Sequence, residues 1–207
     1  MNLVIIGASG LAREVYDLAH ICFSDSPDFK VKGFLSDGPS NIEEMGYPPV
    51  LGKVDEYVVE SGDYFFCAIG NVHDRKKTVE IILSKGGEFV NLIHPTAIIS
   101  PSVKLGKGIA IKAFCSIASD VEIGSFTYLQ SSVIIGHDVQ FGEYCHVNSF
   151  SFFAGNSKLE NLCTVNAGAK LIQKALVEEG GTVGMGSVVL NKVKKGTTVF
   201  GVPAKRI

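Results

Sequence analysis

The chain has 207 residues, of which 46% are hydrophobic and 19% are charged, and its formal net charge is −2. Such a composition is typical of a soluble chain with a hydrophobic core, and the small negative charge argues against a nucleic-acid-binding surface. The sequence contains no signal-peptide pattern and no apolar run long enough to cross a membrane, and its five cysteines have neither disulfide nor zinc spacing, so we expect a cytoplasmic location.

Residues 1–93 are predicted to form a Rossmann-like domain, because segments typical of strands and helices alternate along this part of the chain. The predicted strands are residues 3–6, 30–35, 64–69 and 88–93. The predicted helices are residues 11–22, 54–59 and 73–85. This alternation indicates a small parallel sheet flanked by helices.

Three short polar segments follow the predicted strands of this domain. Gly7, Ala8, Ser9 and Gly10 form a tight turn before the first helix, where free backbone N–H groups favour an anion, although a purely structural turn is the alternative. The turn lacks the full glycine fingerprint of nicotinamide sites, so such a cofactor is not expected. Asp37 follows the second strand, where folds of this type bind a ribose or base hydroxyl. Gly70 and Asn71 close the third strand.

A repeat of six residues organises the rest of the chain. Neither a helix nor a flat strand has this period, so the repeat predicts a β-solenoid in which three hexads close one triangular coil. About five coils would stack roughly 4.8 Å apart. The apolar residues of the series are Ile99, Leu105, Ile111, Ile117, Ile123, Leu129, Ile135, Phe141, Val147, Phe153, Leu159, Val165, Leu171, Val177, Val183 and Val189.

The hexads and the segment Gly201–Lys205 resemble those of the hexapeptide acyltransferases, whose fold is a left-handed parallel β-helix that usually forms trimers. The segments 3–10, 68–71 and 91–95 are similar to those of the acetyltransferases of bacterial nucleotide-linked amino sugars, and the resemblance covers nearly the whole chain. It implies a Rossmann-like nucleotide-sugar-binding domain at residues 1–93 and a left-handed β-helix acyltransferase domain at 94–207. Acetyl-CoA is the implied co-substrate, a homotrimer is expected, and no metal is expected.

The same resemblance implies that the turn at 7–10, Asp37, Gly70 and Asn71 hold the nucleotide of the sugar donor. One departure concerns the sugar itself. Some relatives carry a histidine near the sugar at the position of Leu11, so the identity of the sugar stays open.

His137 is the predicted catalytic base, because a neutral imidazole has the pKa suited to take a proton from an attacking amine at neutral pH. Asp138 follows it directly and is expected to orient the ring. The resembling enzymes have the same base here, often followed by glutamate. Gly155 lies one coil further on, where its N–H would stabilise the oxyanion of acyl transfer. A structural bend glycine is the alternative at this position.

Further contacts are implied by the resemblance alone. Gln130 is a predicted substrate contact, and His146, Ala167, Met185 and Lys205 join Gly155 as predicted acetyl-CoA contacts. His146 precedes an inward residue and so should point outward, with an exposed, solvated ring as the alternative.

Two aromatic residues, Phe150 and Phe152, are out of phase with the inward positions. Exposed aromatic residues on a prism favour a contact between subunits or a wall for the pantetheine chain over bare solvent.

The predicted function is acetyl transfer from acetyl-CoA to the amino group of a UDP- or GDP-linked sugar, in a direct ternary mechanism without a covalent enzyme intermediate. The alternatives are O-acetylation of a sialic acid or another sugar hydroxyl, and a non-catalytic sugar-nucleotide-binding protein. A zinc carbonic anhydrase of the solenoid type is disfavoured. It needs three converging histidines, and only His137 and His146 lie on the appropriate part of the prism.

Overall fold

The computed structural model describes residues 1–207, and the chain divides into two compact units, Met1–Leu92 and Ile93–Ile207. The first unit is a five-stranded sheet in the order β3-β2-β1-β4-β5, with all pairs parallel, and two helices. Its elements are β1 (Asn2–Ile6), α1 (Gly10–Cys22), β2 (Lys30–Leu35), β3 (Val50–Gly52), β4 (Asp63–Cys67), α2 (Val72–Ser84) and β5 (Glu88–Phe89).

Burial explains why these segments fold as they do. Leu3–Ile6 are fully buried, as expected for a central parallel strand covered on both faces. In α1, the buried residues Ala12, Val15, Leu18 and Ala19 recur at helical spacing along one face. Strands β2, β1 and β4 are adjacent and parallel. The chain segments that follow them therefore all leave the sheet at the carboxyl ends of these strands. The three candidate nucleotide segments are therefore neighbours.

Two predictions in this unit are wrong. Residues 54–56 form a turn and 57–59 have no regular secondary structure, so the predicted helix is absent. The carbonyls of Val54, Asp55 and Tyr57 accept hydrogen bonds from the Lys85 ammonium, at 3.1, 2.6 and 3.0 Å, instead of from later N–H groups. The predicted single strand at 88–93 is two strands in different sheets, β5 and β6 (Leu92–Ile93). Strand β3, which the sequence did not predict, follows Pro48 and Pro49.

The second unit is a solenoid with three parallel sheets as faces. The first face holds β7 (Ile98–Ile99), β10 (Ser116–Ile117), β13 (Ile134–Ile135), β16 (Phe152–Phe153), β19 (Lys170–Leu171) and β22 (Val188–Val189). The second face holds β8 (Lys104–Leu105), β11 (Glu122–Ile123), β14 (Gln140–Phe141), β17 (Lys158–Leu159), β20 (Leu176–Val177) and β23 (Lys192–Val193). The third face holds β6, β9 (Ala110–Ile111), β12 (Tyr128–Leu129), β15 (His146–Val147), β18 (Thr164–Val165), β21 (Thr182–Val183), β24 (Thr198–Phe200) and the antiparallel β25 (Lys205–Arg206).

The six-residue series forms the core of the solenoid, as predicted. From Ile111 to Val189 every member is at most 4% exposed, and Ile99 and Leu105 in the first coil are partly buried. Stacked strands pair residues eighteen apart, for example Ser116 with Ile134. The sheets contain about six layers, whereas about five coils were expected. The last coil has only sixteen residues, because Leu176 pairs with Lys192. The core therefore continues with Val193 and Val199, which do not fall on the six-residue positions that would follow Val189.

The corners of the solenoid use left-handed backbone at non-glycine residues. Such residues normally cost about 1–2 kcal/mol each. Hydrogen bonds between coils compensate: Asp138 N–H donates to the Ser119 carbonyl at 3.1 Å, and Asn156 N–H donates to the His137 carbonyl at 3.0 Å. The non-glycine residues with φ between 57° and 62° are Phe114, Asp120, Phe126, Ser132, Asp138, Tyr144, Phe150, Asn156, Leu162 and Lys174.

Candidate active site

His137 lies at the corner between β13 on the first face and β14 on the second face. Its backbone is fixed by both neighbouring coils. Gly136 N–H donates to the Phe153 carbonyl at 2.8 Å, Asp138 N–H donates to Ser119, and the His137 carbonyl accepts from Asn156. The solenoid therefore presents this histidine from a rigid turn.

The His137 ring is paired with the carboxylate that follows it. Its Nδ1 lies 2.7 Å from Asp138 Oδ2, and the two side chains are 60% and 53% exposed. A carboxylate accepts a hydrogen bond, so this contact favours the tautomer with the proton on Nδ1. The Nε2 lone pair is then free to accept a proton from a substrate. The contact expected between His137 and Asp138 is present.

Gly155 supports the same ring from the next coil. A Cβ built on Gly155 would lie 2.7 Å from both Cε1 and Nε2 of His137, so only glycine leaves room for the imidazole in this position. Gly155 does not have positive φ, since the left-handed residue of this corner is Asn156. Its carbonyl accepts from Lys174 N–H at 3.2 Å, while its own N–H makes no hydrogen bond within the chain. That N–H therefore has no partner in the protein, one coil from the His137 ring.

The turn at 7–10 brings the start of α1 to the sheet edge. Gly7 has φ +103°, its N–H donates to the Leu35 carbonyl at 2.8 Å, and an added Cβ would lie 2.9 Å from the Ala68 carbonyl oxygen. The Ser40 hydroxyl donates to the Ala8 carbonyl at 2.9 Å. Ser9 occupies the N-cap but makes no side-chain capping bond, and the first turn, which begins at Gly10, holds no acidic residue. This helix start is therefore suited to an anion.

Asp37 and Asn71 each have one side-chain oxygen engaged within the protein. Asp37 Oδ1 accepts from Val54 N–H at 2.9 Å. Asn71 Oδ1 accepts from the N–H groups of His73 and Asp74, at 2.9 and 3.1 Å, and so caps α2. The second Asp37 oxygen and the Asn71 amide NH₂ are the side-chain groups left for a ligand. Gly70, beside Asn71, is exposed, and a Cβ placed there would lie 3.9 Å from Leu11 Cδ2.

The predicted acetyl-CoA contacts lie on different parts of the prism. His146 is only 8% exposed and stacks on Tyr128, with ring centroids 5.6 Å apart and planes 4° apart, so the alternative of a solvated ring is wrong. Ala167 and Met185 lie one coil apart at the corner between the third and first faces, and Met185 is 66% exposed. Gln130 lies at the same corner, one face away from His137. One chain therefore does not bring these residues to His137.

The corner that carries His137 also contains an apolar edge that the sequence reading missed. Ile172 and Leu190 are exposed, follow the inward residues of β19 and β22, and continue this corner toward the C-terminal end. Leu190 and Asn191 line a surface cavity together with Lys205. The available signal was an apolar residue directly after an inward one. Earlier coils have glycine at such positions, with Gly136 at this corner and Gly106, Gly124 and Gly142 at the corner after the second face.

The core cysteines are poor nucleophiles. Burial raises the pKa of the Cys115 thiol, and the hydrogen bond with Cys145 together with burial raises that of Cys163. A buried thiol that stays protonated does not attack a thioester, which agrees with direct transfer. No group of three or more His, Cys, Asp or Glu side chains is arranged to hold a metal ion. Neither helix has the length and apolarity needed to cross a bilayer.

Comparison with known proteins gives relatives that span the whole chain. The PglD N-terminal domain family matches residues 2–82. The structure of PerB from Caulobacter crescentus, a GDP-perosamine N-acetyltransferase solved with CoA and GDP-perosamine, is 30% identical, with a TM-score of 0.89, covering 100% of this chain and 97% of that one. The acetyltransferase domain of PglB from Neisseria gonorrhoeae, solved with acetyl coenzyme A, is 26% identical, with a TM-score of 0.88, covering 100% and 98%.

One curated sequence match is to a much longer protein. An uncharacterized protein of Acanthamoeba polyphaga mimivirus is 28% identical over 120 residues, which is 58% of this chain but only 23% of the viral protein. The match therefore covers less than a quarter of that relative's length.

Proposed function

The chain belongs to the hexapeptide-repeat N-acetyltransferases of nucleotide-linked amino sugars, and on that premise we propose that it transfers the acetyl group of acetyl-CoA to the amino group of a sugar carried on GDP or UDP. The observation that carries this proposal is the His137–Asp138 pair, seated against Gly155 at an exposed corner. A base of this kind suits a reaction in which an amine must lose a proton as it attacks a thioester.

The reaction proceeds in one complex of enzyme, nucleotide sugar and acetyl-CoA. The neutral amine of the sugar attacks the thioester carbonyl, and His137 Nε2 accepts the proton that the amine releases. The Gly155 N–H donates to the oxyanion of the tetrahedral intermediate. As the C–S bond breaks, the thiolate of CoA leaves and takes up the proton from His137. The products are the N-acetyl sugar and free CoA, and the enzyme returns to its starting state.

The first unit is proposed to bind the nucleotide at the sheet edge formed by β1, β2 and β4. The uncapped start of α1, with Gly7, Ala8, Ser9 and Gly10, suits the diphosphate. The free oxygen of Asp37 suits a ribose or base hydrogen-bond donor, and Gly70 and Asn71 lie at the end of the neighbouring strand. Four of the five free cysteines are buried, and we place the enzyme in the reducing cytoplasm.

A homotrimer is proposed to complete the acetyl-CoA site. Ala167 and Met185 lie at a different corner from His137, so a neighbouring copy is needed to bring that corner, with Gln130 and the nearby His146, toward the reacting groups. Phe150 and Phe152 are 70% and 40% exposed, and burial against another copy would remove them from water. Lys205 and the edge of Ile172 and Leu190 would then line the CoA path on the first copy.

The test is release of free CoA from acetyl-CoA with a panel of GDP-, UDP- and TDP-linked 4-amino sugars and free sialic acid, using wild type and His137→Ala. Turnover with a nucleotide-linked amino sugar, lost in the variant, supports the proposal. Turnover only with sialic acid or another hydroxyl acceptor supports O-acetylation instead. Calorimetric binding of a nucleotide sugar without CoA release supports the non-catalytic alternative.

A further inference from the structure

Lys85, at the C-terminal end of α2, holds the connection between β3 and β4. Its ammonium donates to three backbone carbonyls, those of Val54, Asp55 and Tyr57, at 3.1, 2.6 and 3.0 Å. An ammonium has three N–H donors, so this one segment uses all of them. Lys85 also forms the C-cap of α2, with its backbone N–H directed at the carbonyls of Ile82 and Leu83. The lysine is therefore fixed at its backbone as well as at its head group.

The same segment is tied to Asp37. Val54 is buried, its carbonyl accepts from Lys85, and its N–H donates to Asp37 Oδ1 at 2.9 Å. One residue therefore links the lysine head group to a carboxylate at the candidate nucleotide site. Because one oxygen of Asp37 is held, the direction of the other oxygen is set by the position of Val54.

A second anchor fixes the far end of this segment. The Tyr57 hydroxyl donates to Asp63 Oδ2 at 2.7 Å and accepts from Lys32 at 2.8 Å, and the Asp63 side chain is fully buried. With Tyr57 held by this cluster and its carbonyl held by Lys85, the segment has little freedom at that end. Loss of the Lys85 contacts would therefore act mainly at the Val54 end, which faces Asp37.

We propose that Lys85 is a positioning residue for the nucleotide, acting through Val54 to hold Asp37 in its binding orientation. This rests on the proposed function, in which Asp37 binds the nucleotide. Lys85 itself touches neither the substrate nor the reacting atoms.

The experiment measures the Kd of GDP and of UDP by calorimetry, together with the KM values for nucleotide sugar and acetyl-CoA. Lys85→Met should raise both the Kd of the preferred nucleotide and the KM for the nucleotide sugar about tenfold. This is the effect expected when the charge-assisted hydrogen bond between Asp37 and the nucleotide is lost. The kcat and the KM for acetyl-CoA should stay within about twofold. Lys85→Arg keeps the charge and donors and should recover most of the affinity. Lys76→Met, on the exposed face of the same helix, should match wild type.

A double-mutant cycle separates positioning from general support of the fold. In the Asp37→Ala background, Lys85→Met should change nucleotide affinity by less than about twofold, because the group it positions is absent. An undiminished tenfold effect in that background would overturn the proposal, as would unchanged nucleotide binding in Lys85→Met alone. Failure of the proposed function gives a different result, since wild type would then bind GDP or UDP without releasing CoA in the presence of any amino sugar.

Discussion

The two units of this protein differ in how far apart in the sequence their structural determinants lie. In the solenoid, the strands before the last coil pair with residues eighteen positions away, and the same contacts recur from coil to coil. In the α/β unit, the connection at 54–57 depends on Lys85 and Asp63, and Asp37 depends on Val54. In our proposal the repeated unit holds the catalytic histidine in a rigid turn, and the irregular unit binds the nucleotide.

The largest effect is expected when the proposed base, His137, is removed and the solenoid stays intact. His137→Ala should lower kcat about a thousandfold, within the range for general base catalysis. The ring is exposed, so the thermal midpoint should move by no more than about 2 °C. Steady-state kinetics and thermal unfolding measure the two quantities. Substantial turnover by a correctly folded variant would mean that another group takes the proton.

The next largest effect tests whether substitutions in different coils change the free energy of unfolding additively. Leu171 is fully buried, so Leu171→Ala should lower the free energy of unfolding by about 3 kcal/mol, whereas Lys170→Ala on the same strand should have little effect. Ile117→Ala, three coils away on the same face, should add to Leu171→Ala within about 0.5 kcal/mol. Urea unfolding measures all four variants. Strong coupling between the distant pair would show that the coils do not behave as nearest-neighbour units.

Gly155→Ala tests whether the next coil positions the base. The added Cβ would meet the imidazole at 2.7 Å and must displace it, so kcat should fall about a hundredfold. The nucleotide KM should not change. Ser119→Ala, at the same corner but one coil before His137, is the matched control and should retain activity. If Gly155→Ala kept full kcat, the position of the imidazole would not depend on a glycine at 155, and the proposed oxyanion contact or a structural bend would remain as its role.

The smallest effect is expected in the α/β unit, where the contributions of two N-cap residues to the free energy of unfolding are compared. Asn71→Ala removes the side-chain cap of α2 and should lower the free energy of unfolding by about 1 kcal/mol. Ser9→Ala removes a hydroxyl that makes no capping bond in α1 and should cost less than about 0.5 kcal/mol. Chemical denaturation distinguishes the two variants. Equal losses would indicate that Ser9 caps α1 in solution.

The sequence predicts the solenoid well because every coil repeats the same constraint. The inward positions from Ile111 to Val189 and the proximity of Gly155 to His137 both follow from a fixed coil length. The sixteen-residue last coil could not be predicted, because the series stops at Val189 and nothing in the pattern states the next register. The burial of His146 could not be predicted, because its stacking on Tyr128 depends on a neighbour one coil away that the hexad pattern does not single out.

The α/β unit was predictable only in its regular elements. The segments β1, β2, β4, α1 and α2 carry their own apolar pattern, and their observed bounds lie within two residues of those expected. The segment 54–59 carries no such pattern. Its conformation is decided by a lysine about thirty positions later in the chain, which competes for the carbonyls that a helix would use.

The antiparallel strand β25 covers the last parallel strand on the third face of the solenoid. A stack of parallel strands presents unpaired N–H and C=O groups at its last layer, and such an edge is a template on which further chains can add. Here the chain reverses after Phe200, and Lys205 and Arg206 pair with β24 across that edge. The added strand is short and carries two exposed positive charges, which repel an identical strand from another molecule. On this face of the solenoid, residues 201–207 therefore oppose the addition of a parallel strand from another molecule.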